Sequence, residues 1–524
     1  MRMRAVAAVA IAPLSVLLAG CGSAPAAPPA VAPAPAPAPA PVAPAPVAPP
    51  ASADGIWLGT LHPGTTSLRV QLRIDLAKNP PACTLDSLDQ GAAGIPCQAT
   101  LSGTGLVIDV PDVHGTYRGT LAADGNTATG TWTQSHGALE LVLARQATAL
   151  EPAKPPPPAM DPAMPPVDVE KIASVLGADL AGVLAHGQLE PATGGGVTVG
   201  VLRRGVRRVV SFGAAKPDSV FEIGSVTKTF TGLLLAQMAE QKKVRLDEPV
   251  RALLPAGTVA APASGAEITL LDLSAQRSGL PRMPDNFHPA DPQNPYADYD
   301  AKALYAFVGG HGVAMPAKPA FEYSNVGVGL LGQALAERAH ATYEALLRRE
   351  VTGPLGMRDT VVTLPATLRA RLVPGHTAAH QPAHAWDYAA LAGCGAIRST
   401  AADLLTYVEA QLHPDHLPAA AGATPEGRTL AKAIAASHAI QEDAGDGMHI
   451  ALNWIRVDAT GMFWHNGASG GYSSFVAFNP DEDLGVVVLY NTTIGDRHMF
   501  AEELGTHVVQ RLTGKPALSL GPAH

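Results

Sequence analysis

The chain has 524 residues, of which 15 % are charged, and a formal net charge of −9 at neutral pH. That length allows two hydrophobic cores, and the modest acidity with no basic stripe argues against a nucleic-acid partner. The composition is that of a soluble enzyme rather than a membrane-embedded or disordered chain.

Arg2 and Arg4 precede an apolar run from Ala5 to Leu18, which leads into Leu18-Ala19-Gly20-Cys21. A basic start, a short apolar stretch and small residues before a cut site form a secretory signal, too short to serve as a membrane span. Residues 1–20 are therefore expected to be removed. Cys21 resembles the acylated cysteine of a bacterial lipobox, so the only expected membrane contact is a lipid anchor. Gly22, in place of aspartate, fits sorting to the periplasmic face of the outer membrane. No other stretch is suited to crossing a bilayer.

Residues 21–53 are almost entirely Ala and Pro after Cys21, which favours extended polyproline II and a semi-rigid stalk. Residues 54–147 read as strands. Leu68, Val70, Leu72, Ile74 and Leu76 alternate with Arg69, Gln71, Arg73 and Asp75, the period of a half-buried strand. Asp124-Gly125-Asn126 signals a turn. The expectation is a small antiparallel barrel or sandwich of about eight strands, acting as a spacer or packing partner, with a polymer-binding module as the alternative. In an oxidising compartment, Cys83 and Cys97 flank a Gln90-Gly91 turn signal and are suited to bridge two antiparallel strands. A Pro-rich linker, 148–167, follows.

Residues 168–515 form the expected catalytic domain. A helix near Asp168 leads to a hairpin, Gly196 to Leu202 and Val206 to Phe212, that turns at Arg204-Gly205. Two more strands, Ser473 to Phe478 and Gly485 to Tyr490, close the chain. Strands at both ends with helices between them predict an α+β layout in which the termini complete one sheet. Between them, Ser225-Val226-Thr227-Lys228 opens a run that is apolar at helical spacing: Phe230, Leu233, Leu234 and Met238. One helical turn places Lys228 on the face of Ser225, where a neutral amine can take the hydroxyl proton and activate a nucleophile. His376, His380 and His384 stand at four-residue steps, a spacing that would suit zinc on a helix. Pro374-Gly375 and Pro382 break any such helix, so a surface loop is expected and neither metal nor cofactor is assigned. Cys394, unpaired, is expected to be a small buried residue.

Tyr323-Ser324-Asn325 and His465-Asn466-Gly467 follow Ser225-x-x-Lys228 in chain order, with Ser278-Gly279-Leu280-Pro281, Gly395-Ala396-Ile397-Arg398-Ser399-Thr400 and Asn479-Pro480 around them. On these residues the chain resembles the penicillin-recognising serine hydrolases, in the branch of class C β-lactamases, D-alanyl-D-alanine peptidases, D-aminopeptidases and related esterases. The resemblance implies a β-lactamase/transpeptidase-like fold, an antiparallel sheet flanked by helices. It implies Ser225 as nucleophile, with Lys228 and Tyr323 as the candidates for moving its proton. Asn325 would hold the substrate amide and the Lys228 ammonium, and the oxyanion site would be the backbone N–H groups of Ser225 and Ala468. Gly467 would let its strand approach the substrate.

Three positions depart from the pattern. His465 stands where class C β-lactamases carry lysine, so a substrate carboxylate is held differently. A cationic His465 would favour anionic substrates as the pH falls through about 6.5. Thr227 replaces Ser or Ala. Gln276, where many relatives have histidine, would donate to substrate or cap a loop. The implied partner is a small molecule or a peptidoglycan peptide: β-lactams or D-Ala-containing peptides, with short acyl esters as the same-family alternative. A non-catalytic cell-wall peptide binder is the alternative from another class.

Overall fold

The computed structural model describes residues 52–520, apart from 63–66, 79–80, 114, 135–136, 153–158, 186–188, 190–193, 264, 423 and 495–498. Cys21 and the Ala/Pro stalk therefore lie outside the described residues. The chain divides into two compact units, up to residue 157 and from 158 onward.

Apart from a 3-10 turn at Pro111–Val113, the regular elements described in the first unit are strands: β1 (Gly55–Leu61), β2 (Leu68–Asp75), β3 (Ala82–Ser87), β4 (Ala92–Pro96), β5 (Gln98–Ser102), β6 (Gly105–Val110), β7 (Gly115–Leu121), β8 (Thr127–Gln134) and β9 (Gly137–Gln146). Among the described residues there are nine strands rather than about eight, because Cys97 alone separates two short ones, β4 and β5. All pairings are antiparallel, in the order β4-β3-β2-β1-β9-β8-β7-β6-β5. The inward side chains, among them Trp57, Leu72, Leu106, Tyr117, Trp132 and Leu143, share one core. The sheet therefore curls on itself as an up-and-down barrel, with its seam between β4 and β5. Cys83 and Cys97 are joined beside that seam, and the Cys97 N–H donates to the Cys83 carbonyl at 3.0 Å. In β2 the alternation holds except at Gln71. It is fully buried, and its amide bonds Asp86 and both backbone groups of Leu150.

The second unit is built on an eight-stranded antiparallel sheet. Its order is Val206–Gly213, Gly196–Arg203, Leu484–Tyr490, Ser473–Asn479, Met462–Ala468, Ile455–Val457, Met448–Ile450 and Glu442–Gly445. The first hairpin turns at Arg204 and Gly205, both with positive φ. Strand Leu484–Tyr490 then pairs with Gly196–Arg203, so segments nearly 300 residues apart in sequence complete one sheet. This is the α+β arrangement expected from the strand pattern, with strands from both ends of the unit completing one sheet.

Both faces of the sheet are covered, so its central strands are apolar throughout, as in Leu-Gly-Val-Val-Val-Leu-Tyr. Val197, Val199 and Val201 face the helices Ile172–Asp179 and Phe500–Thr513. Leu202, Val476, Val487 and Leu489 face a larger helical layer. The helix Thr227–Glu240 lies within that layer, buried on every side from Thr227 to Met238. A helix buried all round needs partners for its polar side chains. Thr231 finds them in the Gly393 carbonyl and the Tyr343 hydroxyl, each at 2.7 Å.

Candidate active site

Ser225 sits in the single 3-10 turn Gly224–Val226 that enters the central helix, and its side chain is half-buried. One turn on, Lys228 is fully buried. Its Nζ lies 2.9 Å from Ser225 Oγ, 2.8 Å from Asn325 Oδ1 and 2.7 Å from the Cys394 carbonyl oxygen. Two of these partners are pure acceptors and require N–H donors. The third is a hydroxyl, which can donate as well as accept. The set therefore suits an ammonium with three donors, and equally a neutral amine with two donors and a lone pair aimed at Ser225. Cys394 is buried and unpaired, as expected, but its backbone oxygen is what serves the site.

The Tyr323 motif is also positioned by a helix start. Ser324 caps the helix Asn325–Arg338, its Oγ accepting the Gly327 N–H at 2.8 Å, so Asn325 is the first helical residue and Tyr323 stands just outside. Lys228 Nζ lies 4.9 Å from the Tyr323 ring centroid, and the His465 ring centroid lies 6.4 Å from it. The Tyr323 hydroxyl has no hydrogen-bond partner among the described residues.

The loop Gln276–Met283 straps this turn in place. Ser324 Oγ donates to the Pro281 carbonyl at 2.7 Å, and the Asn325 N–H donates to the Arg282 carbonyl at 3.0 Å. Gln276 belongs to the strap and does not face substrate. It is 1 % exposed, its Oε1 accepts the Ser324 N–H at 2.8 Å, and its Nε2 donates to Asn453 Oδ1 at 3.2 Å. Of the two roles expected for it, capping a loop is the one its contacts fit. Thr227, the other departure near the nucleophile, is buried and accepts the Ile397 N–H at 3.1 Å, tying the turn to the Gly395–Thr400 segment.

The third motif lies on the strand Met462–Ala468. Period-two alternation turns Phe463 to the helical layer and Trp464 to the other face. His465 and Gly467 consequently share the face of Ser225, while Asn466 points away and bonds Glu502 at 2.9 Å. Burial pushes the Glu502 carboxyl up to about 7, against the Asn466 hydrogen bond. A β-carbon at Gly467 would overlap the Ile223 carbonyl oxygen and stand 2.9 Å from the Ser225 nitrogen. Gly467 thus keeps clear the approach of its strand to the nucleophile turn, a closer constraint than the substrate clearance expected. Gly224 makes the reciprocal approach: it has φ +49°, and a β-carbon there would lie 2.5 Å from the Ala468 nitrogen. The Ser225 amide nitrogen thus borders the space kept clear at Gly467, and the Ala468 nitrogen the space kept clear at Gly224.

His465 departs most from expectation. It is 2 % exposed, and its Nδ1 lies 2.6 Å from the Asn466 carbonyl. Burial, reinforced by the Lys228 charge, pushes the imidazole down to about 3. The ring is neutral throughout the physiological range and cannot act as a titrating cation near pH 6.5.

The histidine series is also not as expected. His376 is buried in a short strand, Gly375–His376, paired with Pro382–Ala383, and only His380 and His384 lie on a loop. Among the described residues no group of three or more His, Cys, Asp or Glu is arranged for a metal.

The Beta-lactamase family model matches residues 188–509, more than half of the chain and all three motifs. The chain belongs to the beta-lactamase family. A beta-lactamase of Pseudomonas fluorescens is 28 % identical over 346 residues, covering 56 % of this chain and 88 % of the relative. The D-alanyl-D-alanine-carboxypeptidase/endopeptidase AmpH of Escherichia coli K12 is 26 % identical over 292 residues, covering 53 % and 74 %. The solved beta-lactamase/D-alanine carboxypeptidase of Pseudomonas syringae shares the fold with a TM-score of 0.53 at 17 % identity, covering 65 % of this chain and 97 % of that one. Membership of this β-lactamase-like serine hydrolase family agrees with a site built around a serine and a buried lysine.

Two outcomes follow. Gly467→Ala should push the strand off the nucleophile turn and lower kcat by roughly 10²–10³, the scale of losing one oxyanion donor. Parental kcat in that variant, measured with a nitrophenyl ester, would contradict the packing argument. Because His465 stays neutral until about pH 3, the ratio of kcat/KM for an anionic over a neutral substrate should gain nothing from its protonation between about pH 8 and about pH 5.5. A rise in that ratio which His465→Gln removes would show a charged imidazole.

Proposed function

We propose that the protein is a serine hydrolase working through an acyl enzyme on Ser225, with β-lactams or D-Ala-containing cell-wall peptides as substrates. The observation that carries this reading is the Lys228 amine, buried and 2.9 Å from Ser225 Oγ, with Asn325 and the Cys394 carbonyl fixing its direction. Ser225 Oγ attacks the substrate carbonyl carbon. The hydroxyl proton passes to Lys228 or Tyr323, the two candidates beside it, and is delivered to the departing amine or alcohol. The N–H groups of Ser225 and Ala468 receive the oxyanion, and Asn325 holds the acyl-side amide. Water activated by the same pair then releases the acyl group and restores Ser225.

The ester-hydrolysing alternative gains support from the neutral, buried His465, which supplies no cation for the carboxylate of a β-lactam or a terminal D-alanine. The binding-protein alternative leaves a buried amine beside a hydroxyl without a purpose.

Ser225→Ala should abolish turnover and fluorophosphonate labelling. Lys228→Ala and Tyr323→Phe should each slow acylation by roughly 10²–10⁴ with far smaller changes in substrate affinity. Near-full turnover in Tyr323→Phe would remove the phenol from the proton path.

We place the enzyme on the periplasmic face of the outer membrane, held there by acylated Cys21. Palmitate should be incorporated, and Cys21→Ser should abolish it. A mature N-terminus well beyond Cys21 would overturn the anchor.

A further inference from the structure

Neutral His465 leaves the usual anion-binding position of the third motif without charge, yet the site has a second basic side chain besides Lys228. Arg282 follows Ser278-Gly279-Leu280-Pro281 directly, and its guanidinium carbon lies 5.3 Å from the Tyr323 ring centroid. The two basic side chains are in different circumstances. The Lys228 amine is buried and held by three protein partners. Arg282 is exposed, and among the described residues its guanidinium makes no hydrogen bond and no ion pair. Its guanidinium stands over the ring of the tyrosine that the chemistry uses, a contact that orients the planar fork without occupying its five donors.

The backbone beneath Arg282 is firm. Its carbonyl accepts the N–H groups of Asn325 at 3.0 Å and Val326 at 3.3 Å, at the start of a buried helix. The neighbouring Met283 sulfur faces Asn325 Nδ2 and the Tyr296 hydroxyl, each at 3.6 Å. Arg282 is therefore fastened beside Asn325, the residue that holds the acyl-side amide in the reading above. An arginine fork in that position matches a carboxylate in two parallel hydrogen bonds.

We infer that Arg282 is a specificity-determining residue that recognises a carboxylate on the acyl portion of the substrate, the part retained on Ser225. This rests on the acyl-enzyme reading and deepens it. The substrate class becomes acyl donors with an anionic group in the acyl chain, such as acidic peptides, in place of those whose only anion leaves with the departing group.

The test compares nitrophenyl glutarate with nitrophenyl valerate, two esters with one leaving group and acyl chains of equal length, of which only the first carries a carboxylate. The parent enzyme should favour the glutarate ester in kcat/KM. Arg282→Gln should lower the glutarate-to-valerate ratio by roughly tenfold, the scale of a charge-assisted pair at an exposed position. Arg282→Lys should retain part of the preference, and added salt should erode it. If Arg282 merely props Tyr323, both esters will slow together and the ratio will not move, which overturns the inference. If the parent hydrolyses neither ester and Ser225 resists fluorophosphonate, the acyl-transfer reading fails by itself. Equilibrium binding of glutarate monoamide against valeramide then decides the inference. Tighter binding of the anion that Arg282→Gln removes supports it, and equal affinities overturn it.

Discussion

Three oxygen atoms converge on one buried amine, and the rest of the catalytic unit is arranged to keep them there. The Lys228 side chain is fully buried, so its stability in that position depends on Ser225 Oγ, Asn325 Oδ1 and the Cys394 carbonyl. Each partner comes from a different part of the chain. Ser225 is one helical turn away, Asn325 opens another helix, and Cys394 belongs to a short buried helix, Ala392–Gly395. Loss of any one would leave a buried polar group unpaired, at about 1–3 kcal/mol or more where charge is involved.

That dependence explains features remote from the chemistry. The glycines at 224 and 467 admit the close contact between the nucleophile turn and the sheet, and Ser474 Oγ secures it by donating to the Ile223 carbonyl at 2.8 Å. Gln276 has positive φ and a fully enclosed side chain because it bridges the Tyr323 turn to Asn453. Buried Glu222 accepts the Trp386 N–H at 2.7 Å and pairs with Arg398 at 3.2 Å, joining the strand before the nucleophile to the segment after Cys394. The preorganisation resides in backbone turns and their supports as much as in the reacting side chains.

Much of this was legible in the sequence where the signal is local. The three-residue spacing of Ser225 and Lys228 encodes one face of a helix, and strands at both ends of the catalytic region with helices between them encode a sheet that the two ends complete. Where the partner is distant, the sequence was silent. A backbone acceptor such as the Cys394 carbonyl has no residue signature. His465 read as a histidine able to titrate, because its burial is created by segments hundreds of residues away. Gln276 read as a possible substrate donor for the same reason: nothing local announces that Ser324 and Asn453 meet its amide. In the barrel, Gln71 followed the outward alternation and yet is buried, since Leu150, 79 residues later, returns to cover it.

Intact-protein mass spectrometry of a rapidly quenched mixture tests the central claim most directly, with parent and Lys228→Ala each incubated with a penicillin, a D-Ala-D-Ala peptide and a nitrophenyl ester. The account predicts that the parent gains, from at least one of them, the mass of the acyl group alone on the peptide containing Ser225. In Lys228→Ala this adduct should accumulate at least about 10²-fold more slowly. Parental acylation rates without the Lys228 amine, or an adduct on any residue other than Ser225, would contradict it.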